Sequence, residues 1–238
     1  MRWFLLFCLL ASPLRADCVV LLHGLARSDL SLTVMEQVLE DRGYSVVNAG
    51  YPSTEMPIPE LAMGTLPGAL AQCGDARVHF VTHSMGGILL RYWLRDHRPA
   101  RLGRVVMLGP PNRGSELVDR IGDWQVFGLL NGPAGRQLGT DADSWPLRLG
   151  PVDYPVGVIA GSHTLNPVFS AMIPGMDDGK VSVASTRVQG MEDFIVLPVT
   201  HTFMMNNPRV IGQALHFLAE GRFAERMTWF DAVTGRKR

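Results

Sequence analysis

The 238-residue sequence has little charge and none in excess: Asp, Glu, Lys and Arg make up 18%, divided into 22 acidic and 22 basic residues. A balanced chain offers no basic surface for a polyanion, so no nucleic-acid partner is expected. No internal repeat and no low-complexity tract is present, which excludes solenoids and disordered linkers. No apolar run reaches the roughly 20 residues needed to span a bilayer. No cluster of Cys, His and Asp has metal-ligand spacing and no glycine-rich phosphate loop occurs, so no metal and no cofactor is expected. Cysteine is scarce too, at three residues, Cys8, Cys18 and Cys73.

The first of these lies in MRWFLLFCLLASPLRA, residues 1–16. Arg2 supplies a positive start, Trp3 to Ala11 a short apolar stretch and Ala16 a small residue at a cleavage point, the pattern of a secretory signal. The expected product is secreted or periplasmic and begins near Asp17. In an oxidising compartment Cys18 and Cys73 are either a disulfide or two buried thiols, and spacing alone does not choose between them.

Beyond residue 16, apolar runs of strand length alternate with longer stretches of helical period. That alternation predicts an α/β domain over 17–238, with a mainly parallel sheet covered by helices on both faces. Strands are expected at 18–24, 44–53, 77–83 and 102–112, with further extended segments at 154–162, 180–186 and 193–201. Helices are expected at 32–42, 60–73 and 86–97, with a closing helix at 208–220 capped by Asn206 or Asn207. Pro57 and Pro59 are read as breaking the connection before residue 60. Residues 113–152, with Gly122, Gly128, Gly132, Gly135, Gly139 and Pro133 interrupting short apolar patches, read as a small cap or lid. The patches around Trp124 to Leu130, with Leu165, Val168, Phe169, Met172 and Ile173, either line an apolar pocket or pack as ordinary core.

The chemistry concentrates at THSMGG, residues 82–87. A strand runs into a helix through Ser84, the context in which a sharp turn lifts a serine oxygen above a sheet. Gly86 keeps the turn from colliding with its surroundings, and Gly87 lets the helix pack closely. Thr82 stands where the G-x-S-x-G pattern has glycine. The helix N-terminus offers free N–H groups and a positive dipole end to developing negative charge. Serine is a weak nucleophile, so this reading requires a histidine base and a carboxylate to orient it.

The set LLHGL (21–25), THSMGG (82–87), MDDGKVS (176–182) and LPVTHTF (197–203) resembles the α/β-hydrolase superfamily, and within it bacterial secreted lipases and esterases of the triacylglycerol-lipase type. The resemblance implies Ser84 as nucleophile and His201, after the last strand, as general base. His23, His79, His83, His97, His163 and His216 lack that position. Asp177 and Asp178 both precede Gly179, and the family's D-G-x-V pattern matches Asp178-Gly179-Lys180-Val181, implying Asp178 as the acid. It also places the oxyanion-binding backbone N–H groups at Leu25 and Met85. The implied activity is hydrolysis of carboxylic esters of apolar acyl groups, with transient contact at a lipid interface. An envelope-lipid transacylase or phospholipase would use the same residues, and a non-catalytic lipid-binding protein could keep the fold without the chemistry.

Overall fold

The structure, a computed structural model, describes residues 16–122 and 125–234. Residues 1–15 of the expected leader, Trp124 and the side chains of 125–130 lie outside the described residues. Among the described residues six strands form one parallel sheet: β1 (Cys18–Leu22), β2 (Ser45–Ala49), β3 (Val78–His83), β4 (Leu102–Leu108), β5 (Val156–Gly161) and β6 (Asp193–Leu197). Their spatial order is β2-β1-β3-β4-β5-β6. The chain winds outward from β1 to β2, then crosses back to β3 on the other side of β1. That reversal opens a crevice beyond the carboxyl ends of β1 and β3, where open α/β sheets bind ligands.

Strand alternation sends successive side chains to opposite faces and so divides the core in two. Cys18, Val20 and Leu22 of β1 join Phe80 of β3 and Met107 of β4 in a cluster covered by α2 (Ile58–Cys73) and α3 (Met85–Asp96). Val19, Leu21, Val81 and Val106 face the other way, against α1 (Thr33–Asp41) and α9 (Pro208–Glu220). The expected helices at 32–42, 86–97 and 208–220 are thus present, and Asn207 caps α9 by accepting from the Arg209 N–H. Among the described residues no helix is long and apolar enough to cross a membrane.

Three local expectations need correction. Pro57 and Pro59 do not interrupt the path to α2 but start it: Pro57 is the N-cap and Pro59 lies in the first turn, where a missing N–H leaves no helical bond unmade. KVSVAST is not a strand, because the Ser182 hydroxyl accepts from the Ser185 N–H and caps a single helical turn, α8 (Val183–Thr186). Finally, α9 does not close the chain, since α10 (Trp229–Thr234) follows it and packs on it.

Between β4 and β5 the chain forms α4 (Glu116–Ile121), α5 (Gln125–Arg136) and α6 (Trp145–Arg148). Gly132 kinks α5 at φ 63°, with its α-carbon so close to the Thr54 carbonyl that no side chain would fit. A last short helix, α7 (Pro167–Ser170), follows β5, and Asn166 caps it. Both ends of the 113–152 segment are tied to α3. Buried Arg91 on α3 donates to the Asn112 carbonyl and Oδ1 and to the Gly150 carbonyl, and Asn112 donates to the Thr186 carbonyl.

Cys18 and Cys73 are joined in a disulfide with Cα atoms 5.6 Å apart. The bond ties the start of β1 to the end of α2 and closes a loop across 55 residues. In the chain-entropy account a loop of that length is worth about 4 kcal/mol. The double variant Cys18→Ala/Cys73→Ala is therefore expected to lose about 2–4 kcal/mol of unfolding free energy. Urea denaturation of the purified proteins measures it; an unchanged midpoint would remove the disulfide from the list of stabilising features.

Candidate active site

The site begins with a strained backbone. Ser84 has φ 53° and ψ −124°, and with Ala26 it is one of two non-glycine residues at positive φ among the described residues. Both lie beside the crevice, at the ends of β1 and β3. Such conformations cost on the order of 1–3 kcal/mol and persist only where the surroundings enforce them. Here the Ser84 N–H donates to the Leu108 carbonyl at the end of β4, 2.8 Å away. On the other side α3 starts at once and packs against β1. A Cβ on residue 86 would stand 2.5 Å from the Leu22 carbonyl oxygen and 2.7 Å from that of His23, so only glycine fits. Gly87 is close to Thr82 and Pro110, in agreement with the packing role expected of it.

The turn points Ser84 Oγ at His201 Nε2, 2.9 Å away, and His201 Nδ1 lies 2.7 Å from Asp178 Oδ2. A carboxylate only accepts, so Nδ1 carries the ring proton of neutral His201 and Nε2 is free to accept from the serine hydroxyl. The second carboxylate oxygen of Asp178 accepts from the backbone N–H groups of Lys180 and Val181, at 3.0 and 2.9 Å. The His201 backbone N–H in turn donates to the Asp178 carbonyl, which fixes the two residues to each other through backbone as well as side chain. Asp177 faces elsewhere, accepting from the Ser170 hydroxyl and the Gly179 N–H. The structure therefore brings Ser84, His201 and Asp178 into one hydrogen-bonded chain and leaves Asp177 outside it.

Leu25 and Met85 flank this chain. Met85 is the first residue of α3, and Leu25 follows Gly24, whose α-carbon is so close to β3 that an added Cβ would lie 3.1 Å from Ser84 Cβ. The loop carrying Leu25 is shaped by a residue the sequence reading did not single out. Tyr51, after β2, stacks on His23 with ring centroids 3.9 Å apart, and its hydroxyl donates to the His23 carbonyl. Its N–H donates to His23 Nε2, so the His23 proton is on Nδ1, bonded to the Gly24 carbonyl. Burial raises the Tyr51 phenol pKa, keeping it a neutral donor.

Two further glycines, not distinguished by any sequence motif, make room for the site. Gly109, at φ 54° just after β4, has space for a Cβ only within 3.0 Å of Asp178 Oδ2 and 3.2 Å of His201 Nδ1. Gly161, ending β5, would press a Cβ to 2.8 Å from that of Asp178. Their signal in the sequence is position: each directly ends a strand on the carboxyl edge where Ser84 also lies.

His83 is the neighbour with most effect on His201. Its Nε2 donates to the His201 carbonyl at 3.0 Å, and its ring is 4.9 Å from that of His201. Burial, then the adjacent His201, then Lys180 and Arg27, hold its pKa well below the ordinary 6.5. Around these groups is a cavity of about 350 Å³, lined by Ser84, His83 and His201 and walled on one side by Leu117, Val118, Ile121 and Phe169. Leu165 and Val168 are exposed, so of the apolar residues proposed near 165–173 only Phe169 reaches the cavity; Met172 and Ile173 support it from behind. Among the described residues no group of three His, Cys, Asp or Glu could hold a metal ion.

No family model matches the chain. A curated triacylglycerol lipase of Pseudarthrobacter phenanthrenivorans is 31% identical over 116 residues, covering 44% of this chain and 36% of the relative. The chain thus spans about a third of the length of that curated relative. Among solved structures, mature lipase BlEst2 of Bacillus licheniformis superposes with a TM-score of 0.63 at 20% identity, covering 87% of this chain and 90% of the lipase. A metagenomic carboxyl esterase gives a TM-score of 0.60 at 18% identity, over 79% of this chain and 65% of its own. With the six-stranded parallel sheet, these likenesses establish the α/β-hydrolase fold expected from the sequence.

The buried imidazoles give the protein a defined acid limit. His23, His79 and His83 all have pKa values lowered from 6.5, with burial the first cause in each. Below pH 6.5 the unfolded chain binds protons that the native protein refuses, so stability falls as pH drops and levels off above 6.5. Urea midpoints measured from pH 5 to 8 should show that rise and plateau. His83→Gln should flatten part of it; an identical pH profile in this variant would sink the assignment.

Proposed function

We propose that the protein is a carboxylic ester hydrolase acting through Ser84, His201 and Asp178. The observation that carries this reading is the continuous hydrogen-bonded chain from Ser84 Oγ through His201 to Asp178, opening into an apolar cavity. His201 Nε2 takes the Ser84 proton as Oγ attacks the ester carbonyl carbon. The carbonyl oxygen becomes an oxyanion, which the Leu25 and Met85 N–H groups receive. As the tetrahedral species collapses, the carbon–oxygen bond to the alcohol breaks and the proton passes from His201 to the departing oxygen. Water, deprotonated by the same nitrogen, then releases the acyl group and restores Ser84. Asp178 keeps the imidazole in the required tautomer and stabilises it while it carries positive charge.

The apolar wall of Leu117, Val118, Ile121 and Phe169 suits an aliphatic acyl chain. Exposed Leu30, Leu165, Val168, Met176 and Phe203 all belong to the connections that follow the carboxyl ends of β1, β5 and β6, where brief contact with a lipid surface would deliver such a substrate. The Cys18–Cys73 disulfide favours an oxidising location, secreted or periplasmic.

Labelling with a fluorophosphonate and turnover of p-nitrophenyl esters test the reading together. Ser84→Ala should abolish labelling, and both it and Asp178→Asn should lower kcat/KM by about 10⁴-fold or more. Asp177→Asn should cost about tenfold or less, since it loses contacts to Ser170 and Gly179 rather than to His201. Wild-type protein that labels no better than Ser84→Ala, or hydrolyses no ester of any chain length, overturns it.

A further inference from the structure

The cavity beside Ser84 is lined by charged as well as apolar residues. Apolar side chains of α4 and α7 line it, and so do two cations, Arg27 from the loop after β1 and Lys180 from the loop before α8. Arg27 lies two residues beyond Leu25 and Lys180 two beyond Asp178, so both belong to segments that hold the reacting groups. Neither cation is free to swing far at its base. The Arg27 guanidinium donates to the carbonyl of Thr202, next to His201, at 3.2 Å. The Lys180 backbone is held at both ends, its N–H by Asp178 Oδ1 and its carbonyl by the Ser115 hydroxyl at 2.8 Å.

Among the described residues no carboxylate forms an ion pair with either. Crowding by the protein and then the Arg27 charge lower the Lys180 pKa, the Asp178 carboxylate raises it, and the side chain retains access to solvent. Two like charges converging on one cavity repel each other in the empty protein, and an anion placed between them removes that repulsion while making charge-assisted hydrogen bonds.

We propose that Arg27 and Lys180 form an anion subsite for the alcohol half of the substrate, and that this substrate is an acyl ester of a phosphorylated alcohol, as in a glycerophospholipid or lysophospholipid. The inference rests on the ester hydrolysis proposed for Ser84. In such lipids a short carbon bridge separates the acyl ester from a phosphate whose oxygens can accept from both cations at once. The acyl chain then lies against Leu117, Val118, Ile121 and Phe169 with the scissile carbonyl at Ser84. Guanidinium suits the phosphate by its planar fork and ammonium by its compact charge.

Two measurements separate this subsite from the hydrolytic reading. The first is the ratio of kcat/KM for a lysophosphatidylglycerol over that for the monoacylglycerol with the same chain. Wild type should favour the phosphate ester about tenfold or more, and Arg27→Gln/Lys180→Gln should reduce the ratio by about ten- to a hundredfold. Lys180→Gln alone should show part of the loss if the double variant does not fold, and Lys180→Arg should restore most of it. A ratio the same in wild type and variants overturns the subsite but leaves ester hydrolysis standing.

The second measurement is binding to wild-type protein of dodecyl phosphate, dodecanoate and dodecanol below their aggregation limits, which needs no turnover. Dodecyl phosphate should bind about tenfold tighter than the other two, and the Gln variants should lose that advantage. Equal binding of dodecanoate and dodecyl phosphate would mean that the cations hold a fatty-acid product, against the proposal. Loss of all ester turnover with phosphate binding intact would instead overturn the hydrolase reading alone.

Discussion

The architecture of the site follows from one close approach, that of helix α3 to the end of strand β1. With residue 86 lacking a side chain, the helix axis comes near enough to the Leu22 and His23 carbonyls for Ser84 to be forced through a left-handed turn. The hydroxyl then rises above the carboxyl edge of the sheet instead of continuing into one of its faces. The strain is small beside the surrounding burial: β1 and β3 are buried along their whole length, and each fully buried aliphatic side chain contributes about 1.5–3 kcal/mol. A firm sheet can therefore hold one residue in a conformation that it would not choose alone.

Around that turn, bare glycine backbone makes room for the side chains gathered there. Gly24, Gly109 and Gly161 each end or follow a strand and each leaves space for a different part of the site: the serine, the imidazole and acid together, and the acid alone. The polar groups complement this. Asp178 has both oxygens engaged, His201 is bonded at both ring nitrogens, and His83 holds the base by its main chain. Such an arrangement is preorganised: in the proposed hydrolysis little would need to reorganise as charge develops, which is where electrostatic catalysis gains most.

How much of this the sequence revealed depended on how local each signal was. The β3-turn-α3 junction was legible because strand pattern, serine and two glycines are contiguous, and Asp178 and His201 were legible through the resemblance and their order in the chain. Tyr51 and Gly161 were not, since their purpose exists only once β2 and β5 lie beside the site in space. The segment KVSVAST misled because its alternating valines imitate a strand, while the deciding interaction is Ser182 capping its own turn and bonding to Glu116 far away in sequence. Pro57 and Pro59 misled in the opposite sense: proline forbids the interior of a helix but suits its first turn, and periodicity alone does not locate the first turn.

The disulfide has a topological meaning as well as an energetic one. By joining Cys18 to Cys73 it makes a covalent ring of β1, α1, β2 and α2, the part of the sheet lying on one side of the chain reversal. Ser84, Asp178 and His201 are all outside that ring. The enclosed unit reaches them by way of the loop after β1, which Tyr51 braces and which carries Leu25. The chain is thus divided into a cross-linked support and an open segment that carries the hydrogen-bonded Ser84, His201 and Asp178. Sequence changes in the second segment can alter the lining of the crevice while the first keeps the platform, including one backbone wall of the crevice, in place.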